Sequence, residues 1–376
     1  MAERSVTEVF DGIVVGGGIV GCACAYYLSE RFPKVLLIEK GPVGGGSTAA
    51  GMGHVVVMDD SRAQFALTQY SQQLWNELFP QLEPSCEPRS TGTLWVAADE
   101  EEFSHVDGKR KLYESNGLRA EVLDTKAIRE AEPHLREGLP GGLLIPGDSV
   151  IYPMTAAAWL LDQARLRGAK LLQGRAVVKM GQGKTTLDDG TTLDAHFVVN
   201  ATGDRAQTLT PGLPITPRKG HLIITDRYPG YVRHQLVELG YLKSAHEMSN
   251  ESVAFNAQPR ATGQILLGSS RQFVGWDPGI DRNLIAKMVA RATEYLPGIG
   301  SLSVIRTWVG FRATTPNSLP LIGSLQHDPA TLVAAGHEGL GITTSLATGK
   351  LIADIASGVE SKIDRNPFAV SVEVKS

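Results

Sequence analysis

Three glycines and one glutamate lie close together near the start of the chain. Gly16, Gly18 and Gly21 follow the pattern G-x-G-x-x-G inside the stretch VVGGGIVG, and Glu39 stands at the end of the next apolar run. Glycines at this spacing permit a tight turn, let a phosphate group approach the backbone and let a helix pack close to a strand. A carboxylate in the position of Glu39 accepts hydrogen bonds from ribose hydroxyls. These residue types therefore indicate binding of a dinucleotide.

Short apolar runs around the glycines predict the elements that position them. Gly12–Val15 and Lys34–Ile38 are typical of strands, and Val20–Leu28 is compatible with a helix whose N-terminus presents free N–H groups and a positive dipole end. The alternative is a glycine-rich turn in another parallel sheet, with Glu39 only ending a strand. The predicted contacts from this motif are Gly16, Gly18, Ile19, Val20, Gly21, Glu39 and Lys40.

The loop after Glu39 helps to distinguish a resident cofactor from a transient nucleotide. Gly41–Gly53, GPVGGGSTAAGMG, can align backbone amides and two hydroxyls along a long ligand, although such a composition also suits a flexible surface connection. The stretch resembles the second cofactor-contacting segment of the D-amino-acid oxidase superfamily, whose FAD-dependent amine oxidoreductases include glycine oxidase and sarcosine oxidase. The resemblance implies FAD rather than NAD. The contacts it implies are Gly46, Ser47, Thr48, Gly51, Met52 and Gly53.

Two further segments extend the resemblance on the cofactor side. In QGRAVVKM and the later FVVNATG, it implies that Val177 holds the adenine end through its backbone and that Ala201, Thr202 and Gly203 pass close to the pyrophosphate. An ordinary β-meander with an Asp-Gly turn is the alternative. In VAAGHEGLGITTSLATGKLIADI, an apolar strand, a glycine turn and a helix beginning near Ile342 follow one another, and a helix N-terminus can stabilise negative charge on a reduced flavin. The flavin contacts predicted there are Gly336, Gly339, Leu340, Gly341 and Ile342, with His337 as a residue that caps or packs.

The segment WVGFRATTPNSLPLIG carries the predicted substrate arginine. It resembles the superfamily pattern Gly-x-Arg-x-x-Thr-Pro-Asp-x-x-Pro-x-Ile-Gly, with Asn317 where Asp is more usual. A guanidinium binds a carboxylate through two parallel hydrogen bonds, and the resemblance to the glycine oxidase branch assigns this task to Arg312. Gly310 and Arg312 are also counted as cofactor contacts. The alternative for Arg312 is an ion pair with a surface acid.

The remaining substrate contacts are predicted from position. Met52, Gly53 and His54 end the cofactor loop, and Leu340 and Tyr241 complete the predicted substrate set. His54 has two open interpretations. It either accepts a proton from the substrate or polarises the flavin, since an unperturbed imidazole titrates near neutrality, or it is a hydrogen-bonded supporting residue.

Composition limits the partners and the cofactor attachment. The 376 residues carry a net charge of −4 without a long Lys/Arg run, which argues against a nucleic-acid partner. The first residues and the lengths of the apolar runs predict no transmembrane segment and a cytoplasmic protein. Some sarcosine oxidases attach flavin through a cysteine near the segment matched by Trp308–Pro316, where this chain has none, so FAD is predicted to be noncovalent. No metal-ligand spacing is present in the sequence.

The fold predicted from these elements is α/β, or α+β overall, with a Rossmann-like FAD/NAD(P)-binding domain and an antiparallel-sheet substrate domain. HLIIT, ESVAFNA and QILLGSS alternate apolar and polar residues, as strands of a half-exposed antiparallel sheet do. The predicted FAD-binding domain is discontinuous and comprises residues 1–82, 148–218 and 298–376. The predicted substrate domain comprises residues 83–147 and 219–297.

The function implied is oxidation of an amino acid or secondary amine acid by hydride transfer to flavin N5. GSTAAGMGHVVVMDD and PRKGHLIIT together resemble bacterial D-hydroxyproline dehydrogenases of hydroxyproline catabolism. That resemblance implies oxidation of cis-4-hydroxy-D-proline to a pyrroline hydroxycarboxylate, with electrons passing to oxygen or to an electron-acceptor protein. Two alternatives stay open. One is a glycine- or sarcosine-type oxidase that makes hydrogen peroxide, and the other is a non-catalytic FAD-binding subunit associated with sister subunits.

Overall fold

A computed structural model of the chain describes residues 9–240 and 251–372. The chain divides into two compact units, each assembled from segments that are distant in sequence. Unit 1 contains the described residues of Met1–Cys86, Tyr152–Pro217 and Arg312–Ser376. Unit 2 contains the described residues of Glu87–Ile151 and Arg218–Phe311. The assignment of FAD binding to one domain and substrate binding to the other stays a prediction.

The secondary structure alternates strands and helices in the first part of the chain and is richer in strands in the middle. The strands are β1 Val9–Val15, β2 Val35–Glu39, β3 His54–Val55, β4 Thr93–Ala97, β5 Glu121–Asp124, β6 Gly141–Ile145, β7 Ser149–Val150, β8 Lys170–Gln173, β9 Val177–Gly181, β10 Lys184–Leu187, β11 Thr192–Asn200, β12 Thr216–Thr225, β13 Gln235–Glu238, β14 Glu251–Pro259, β15 Ile265–Gln272, β16 Val304–Thr314, β17 Leu321–Ser324 and β18 Thr331–Ala335. The helices are α1 Ile19–Leu28, α2 Gly46–Ala50, α3 Arg62–Leu78, α4 Glu100–Ser104, α5 Val106–Ser115, α6 Thr125–Ala131, α7 Pro153–Leu166, α8 Ala206–Leu209, α9 Arg282–Tyr295 and α10 Gly341–Ala356.

Unit 1 is built around a mainly parallel sheet. Its strand order is β17-β18-β11-β1-β2-β8, and the β9-β10 hairpin is attached to β11. β1 pairs in parallel with both β2 and β11, so that Val15 has Ile38 on one side and Asn200 on the other. The carboxyl ends of these neighbouring strands meet at one edge, where ligands bind in sheets of this type. The predicted α/β fold is confirmed.

The unit 1 sheet is held by apolar side chains. Phe10, Ile13, Ile38 and Val198 lie in one buried cluster on the sheet, and α1 packs against α7 and α10. Parallel strands covered by helices are apolar along most of their length, which explains the run VLLIE of β2 and its four fully buried residues.

The predicted strand-turn-helix elements are confirmed with small shifts of their ends. β1 begins at Val9, α1 begins at Ile19 and α10 begins at Gly341. One element differs from the prediction, because residues Gly46–Ala50 of the glycine-rich loop form the short helix α2. Glycines flank this turn, and the Gly51 N–H bonds to the Thr48 carbonyl where it ends.

Unit 2 is built around a sheet with the strand order β16-β12-β15-β14-β13-β4-β6-β5. The pairs β12/β15, β14/β15, β13/β14, β4/β6 and β5/β6 are antiparallel, and β13/β4 is parallel. One face packs on an apolar cluster that includes Leu94, Leu236, Phe255 and, from α9, Met288. The expectation of a half-exposed sheet is wrong in one respect. The strands alternate apolar and polar residues, but β13 and β15 are buried along their whole length.

Candidate cofactor-binding and active site

The glycine turn after β1 is fixed by close backbone packing. Gly16 has φ +106°, a conformation that favours glycine, and a Cβ there would lie 2.6 Å from the Ala201 carbonyl oxygen. A Cβ at Gly21 would lie 1.9 Å from the Gly16 carbonyl oxygen. Both positions exclude a side chain, and the turn therefore brings the first glycine motif against the start of the Ala-Thr-Gly turn.

Glu39 is held at the edge of the sheet by two backbone groups. The Gly17 N–H donates to Oε2 over 2.6 Å, and the Gly41 N–H donates to Oε1 over 2.6 Å. A carboxylate offers about four lone-pair sites, so each oxygen can accept a further hydrogen bond. The side chain is thus oriented in advance for a ligand that carries hydroxyl groups. Gly17 was not among the predicted contacts, although it lies inside the glycine motif.

The N-terminus of α1 is joined to the loop after β2 by one hydroxyl. The Ile19 N–H donates to Thr48 Oγ1 over 3.0 Å, and Thr48 is buried. α1 has neither an acidic residue in its first turn nor a side chain bonded at its N-cap, Gly18. A Cβ at Gly18 would lie 3.2 Å from Thr48 Oγ1. The hydroxyl keeps its own proton for donation, and this end of the helix is suited to an anion.

The Ala-Thr-Gly turn after β11 is held by a buried asparagine that the sequence reasoning did not single out. Asn200 Oδ1 accepts from the Thr202 hydroxyl over 2.7 Å and from the Thr202 N–H over 3.3 Å. Its Nδ2 donates to the Ala206 carbonyl over 2.9 Å. A polar residue at the end of a buried apolar strand was the available signal. Asn200 therefore fixes the turn that abuts Gly16.

The start of α10 lies beside Arg312. The Glu338 N–H donates to the Ala313 carbonyl over 2.9 Å, and a Cβ at Gly339 would lie 3.6 Å from Arg312 Nε. The N-cap of α10, Leu340, makes no side-chain cap bond, and the first turn holds no acid. The predicted arginine and the predicted glycine turn are thus brought together.

The cofactor loop also reaches the first turn of α10. A Cβ at Gly51 would lie 2.6 Å from Ile342 Cδ1, and the Thr343 hydroxyl donates to the His54 carbonyl over 2.8 Å. The Nε2 atom of His54 is buried and has no hydrogen-bond partner within residues 9–240 and 251–372. Burial lowers the pKa of His54 to about 4, so its ring is neutral at pH 7. Thr343 was not predicted, and its position in the first turn of the helix was the available signal.

His337 has a partner on α10. Its Nε2 lies 3.0 Å from Thr348 Oγ1, and burial lowers the pKa of His337 to about 4. This arrangement matches the expectation that His337 packs, and it leaves the ring neutral at pH 7.

The structure places the other predicted residues as follows. Val177 begins β9, Met52 is buried, and Lys40 and Ser47 are exposed. Gly310 lies on β16 within unit 2. Tyr241 lies outside the described residues.

The sequence was also compared with known proteins. A model of the family described as DAO, FAD dependent oxidoreductase, matches residues 11–355. The chain belongs to this family.

Relatives of this FAD-dependent oxidoreductase align over nearly its whole length. Glycine oxidase of Pseudomonas putida is 27% identical over 373 residues, which cover 95% of this chain and 97% of the relative. Hydrogen cyanide synthase subunit HcnC of Pseudomonas aeruginosa is 26% identical, and the match covers 98% of this chain and 99% of the relative. The solved structure of glycine oxidase from Geobacillus kaustophilus superposes with a TM-score of 0.87 at 25% identity and covers 98% of this chain and 100% of that chain.

The residues of unit 1 fit the FAD that this family uses. The carboxylate of Glu39 suits ribose hydroxyls. The Thr48 hydroxyl beside Gly18 and the α1 N-terminus, whose first turn holds no acidic residue, suit a pyrophosphate. A second uncapped N-terminus, that of α10, suits the electron-rich edge of a flavin. Within the described residues, no group of three or more His, Cys, Asp or Glu side chains is arranged to hold a metal ion. None of the helices that the structure describes is long and apolar enough to cross a membrane.

Proposed function

We propose that this protein oxidises the CH–NH bond of an amino acid or secondary amine acid, and that its substrate is cis-4-hydroxy-D-proline. The observation that carries the proposal is the position of Arg312 beside Gly339, at the turn that begins α10. The product is a pyrroline hydroxycarboxylate. FAD, when bound, supplies the chemistry of accepting a hydride at its N5 atom.

Arg312 is proposed to bind the substrate carboxylate. A planar guanidinium forms two parallel hydrogen bonds with a carboxylate and so fixes both its position and its plane. Met52, Gly53, His54 and Leu340 are proposed to shape the rest of the substrate site, and Tyr241 stays a prediction from sequence. Orienting the reacting carbon before the reaction is a main contribution that a protein makes to hydride transfer.

His54 is proposed to act as a neutral hydrogen-bonding group. A base whose pKa is near 4 is almost wholly deprotonated at pH 7 but holds a proton weakly, and it is therefore a poor acceptor for the proton of a substrate ammonium group. Its buried Nε2 has no partner in the part of the chain that the structure describes. Of the two sequence interpretations, this favours hydrogen bonding over proton transfer.

FAD is proposed to be held noncovalently by three groups of residues. The glycine motif group is Gly16, Gly18, Ile19, Val20, Gly21, Glu39 and Lys40. The loop group is Gly46, Ser47, Thr48, Gly51, Met52 and Gly53. The remaining group is Val177, Ala201, Thr202, Gly203, Gly310, Arg312, Gly336, Gly339, Leu340, Gly341 and Ile342.

Two other functions compete with this proposal. The relatives named glycine oxidase support a glycine- or sarcosine-type oxidase that transfers electrons to oxygen. The relative named as a subunit of hydrogen cyanide synthase supports the other alternative, a non-catalytic FAD-binding subunit of a larger complex. The choice of cis-4-hydroxy-D-proline depends on the stretches GSTAAGMGHVVVMDD and PRKGHLIIT.

Anaerobic bleaching of the flavin absorbance separates these functions. The purified FAD-loaded protein is mixed with cis-4-hydroxy-D-proline, D-proline, sarcosine or glycine, and air is then readmitted. Bleaching by cis-4-hydroxy-D-proline supports the proposal, and slow recovery in air identifies a dehydrogenase. Bleaching by glycine or sarcosine with fast recovery identifies an oxidase instead. Bleaching by none of them contradicts catalysis of this kind and favours a non-catalytic subunit.

The role of Arg312 is tested by replacement with alanine. Hydrogen bonds to charged groups contribute about 1.5–3 kcal/mol, so Arg312→Ala should raise the KM about 10- to 100-fold while FAD stays bound. Arg312→Lys keeps the charge but not the planar pair of donors and should recover only part of the loss. Arg306→Ala, at an exposed arginine on β16, is the matched control. An unchanged KM in Arg312→Ala would remove this residue from the site.

A further inference from the structure

Helix α3 holds the N-terminal part of α10 through two polar side chains. Ser71 and Trp75 are fully buried and lie one turn apart on α3, so they are on the same face of that helix. Trp75 Nε1 donates to the Ile342 carbonyl over 3.3 Å, and the Ala347 N–H donates to Ser71 Oγ over 3.1 Å. The two bonds meet α10 at different heights and therefore fix its position along its own axis.

Neither bond is needed to complete the hydrogen bonding of α10 itself. The Ala347 N–H has the Thr343 carbonyl, four residues earlier, as its regular helical acceptor. The Ile342 carbonyl also accepts from the Ser345 hydroxyl over 2.9 Å. A buried indole N–H or hydroxyl must find a partner, whereas an apolar side chain has no such requirement. The two α3 side chains thus restrict where α10 can lie rather than whether it forms.

Other contacts within unit 1 hold the same part of α10. The Thr343 hydroxyl donates to the His54 carbonyl over 2.8 Å and accepts from the Val56 N–H over 3.4 Å. A Cβ at Gly349 would lie 2.4 Å from the Ala23 carbonyl oxygen, so the backbones of α1 and α10 are in close contact there. The helix is therefore confined by α1, by α3 and by the segment that contains β3.

The end of α10 that these contacts confine is also its more open end. Gly341 and Ile342 are half-buried, whereas residues 343–349 are buried. The first N–H groups of a helix have no acceptor within it, and this N-terminus has neither a side-chain cap bond nor an acid in its first turn. His54, whose carbonyl is bonded to the first turn, has a buried Nε2 without a partner among the described residues. These features together indicate that a polar ligand binds at this end.

The position of a helix N-terminus matters when the ligand is a flavin. The N-terminus carries a partial positive charge whose effect falls off within the first turn. Reduction adds negative charge to the N1/C2=O edge of the flavin, so a helix N-terminus at that edge stabilises the reduced form more than the oxidised form. An α10 that is less firmly held would give less of this stabilisation.

We infer that Trp75 and Ser71 are positioning residues that set the reduction potential of bound FAD by holding the N-terminus of α10. The inference rests on the flavin contacts of α10 in the proposed function and extends them. It assigns control of the potential to two buried residues of α3 that are not among the proposed cofactor contacts.

The test measures the midpoint potential of the FAD-loaded protein without substrate, by equilibration with a redox dye at pH 7. Trp75→Phe keeps a ring in the core but removes the N–H. It should weaken the binding of reduced FAD relative to oxidised FAD by about 3- to 10-fold. A tenfold change corresponds to about 30 mV for a two-electron couple, so the potential should fall by about 15–30 mV. Ser71→Ala removes the second bond and should shift the potential in the same direction.

Trp159→Phe is the matched control. Trp159 is a buried tryptophan of the same unit, but it lies on α7 and stacks on Tyr26. Its replacement should lower the melting temperature about as much as Trp75→Phe and leave the midpoint potential unchanged. The comparison separates loss of packing from loss of the position of α10.

Two results would overturn the inference. One is a wild-type potential in both Trp75→Phe and Ser71→Ala, even if their melting temperatures fall. The other is a shift in Trp159→Phe as large as that in Trp75→Phe. Because no substrate is used, the outcome is independent of the choice of amino acid. If no amino acid bleaches the flavin, the proposed function is wrong, while a lower potential in the two α3 variants would still support the inference.

Discussion

Replacement of His337 by glutamine tests whether the buried neutral histidines of unit 1 set the acid stability of the protein. Burial lowers the pKa of His337 from 6.5 in a solvated reference to about 4. Because the folded-state value is the lower one, the unfolded chain binds a proton first as the pH falls. The contribution to stability is therefore intact above pH 6.5 and is lost as the pH falls toward 4.

The size of the effect follows from the two pKa values. Between pH 7 and pH 5 the unfolded chain gains about 0.7 of a proton at this residue and the folded chain gains about 0.1, which costs about 2 kcal/mol of the free energy of unfolding. His337→Gln keeps a donor that can reach Thr348 Oγ1 but removes the titration. Both proteins should lose unfolding free energy between pH 7 and pH 5. The loss should be smaller in His337→Gln than in the wild-type protein by about 2 kcal/mol.

Urea unfolding of the FAD-loaded proteins at both pH values, followed by circular dichroism, measures this difference. The carboxylates are common to both proteins, and their contributions cancel in the comparison. His327→Gln is the matched control because His327 is exposed, and it should follow the wild-type curve. Equal losses for wild type and His337→Gln would refute the reasoning, since they would show that His337 does not titrate differently in the folded chain.

Three replacements at the α1 N-terminus should have separable effects. Gly18→Val meets only the Thr48 hydroxyl, so the protein should fold with wild-type circular dichroism but purify without flavin absorbance, and a fully yellow variant would contradict the assignment. Gly21→Ala places a carbon 1.9 Å from the Gly16 carbonyl oxygen and should lower the melting temperature sharply or prevent soluble expression, whereas an unchanged melting temperature would refute that packing. Thr48→Val leaves the Ile19 N–H without its acceptor and should weaken FAD binding by about 10-fold, as measured by flavin fluorescence titration. The substrate KM should be unchanged. An FAD affinity equal to that of the wild-type protein would show that the Thr48 hydroxyl plays no part.

The sequence predicted the strands, turn and helix around the first glycine motif because the constraints on them are local. The glycine spacing and the glutamate at the end of the second strand are required by backbone geometry wherever a strand, turn and helix of this type occur. The supporting bonds were harder to foresee. The bonds of Asn200 to Thr202 and Ala206 depend on a three-dimensional turn rather than on the residue pattern. Thr343 reaches His54, which lies 289 positions earlier in the chain.

Unit 2 shows where periodicity alone is insufficient. Alternation of apolar and polar residues correctly indicated strands. It also led to the expectation that one face of the sheet is exposed to solvent. Gln235 and Asn256 are instead buried, because burial depends on the three-dimensional packing around the sheet, which a pattern of period two does not encode. The short helix α2 was missed for a related reason, since a run of Gly, Ser, Thr and Ala is compatible with both loop and helix.

The discontinuity of unit 1 has a consequence for how the protein is made on the ribosome. The glycine motif and α1 are synthesised before β17, β18 and α10, which lie more than 290 positions further along the chain. α1 packs against α10, and β11 pairs with β18. The glycine motif and α1 therefore cannot make their contacts with α10 until most of the chain has been synthesised. Contacts of such long sequence separation form slowly. FAD capture should accordingly follow synthesis of α10, and a fragment ending before β17 should be retained by chaperones rather than bind flavin.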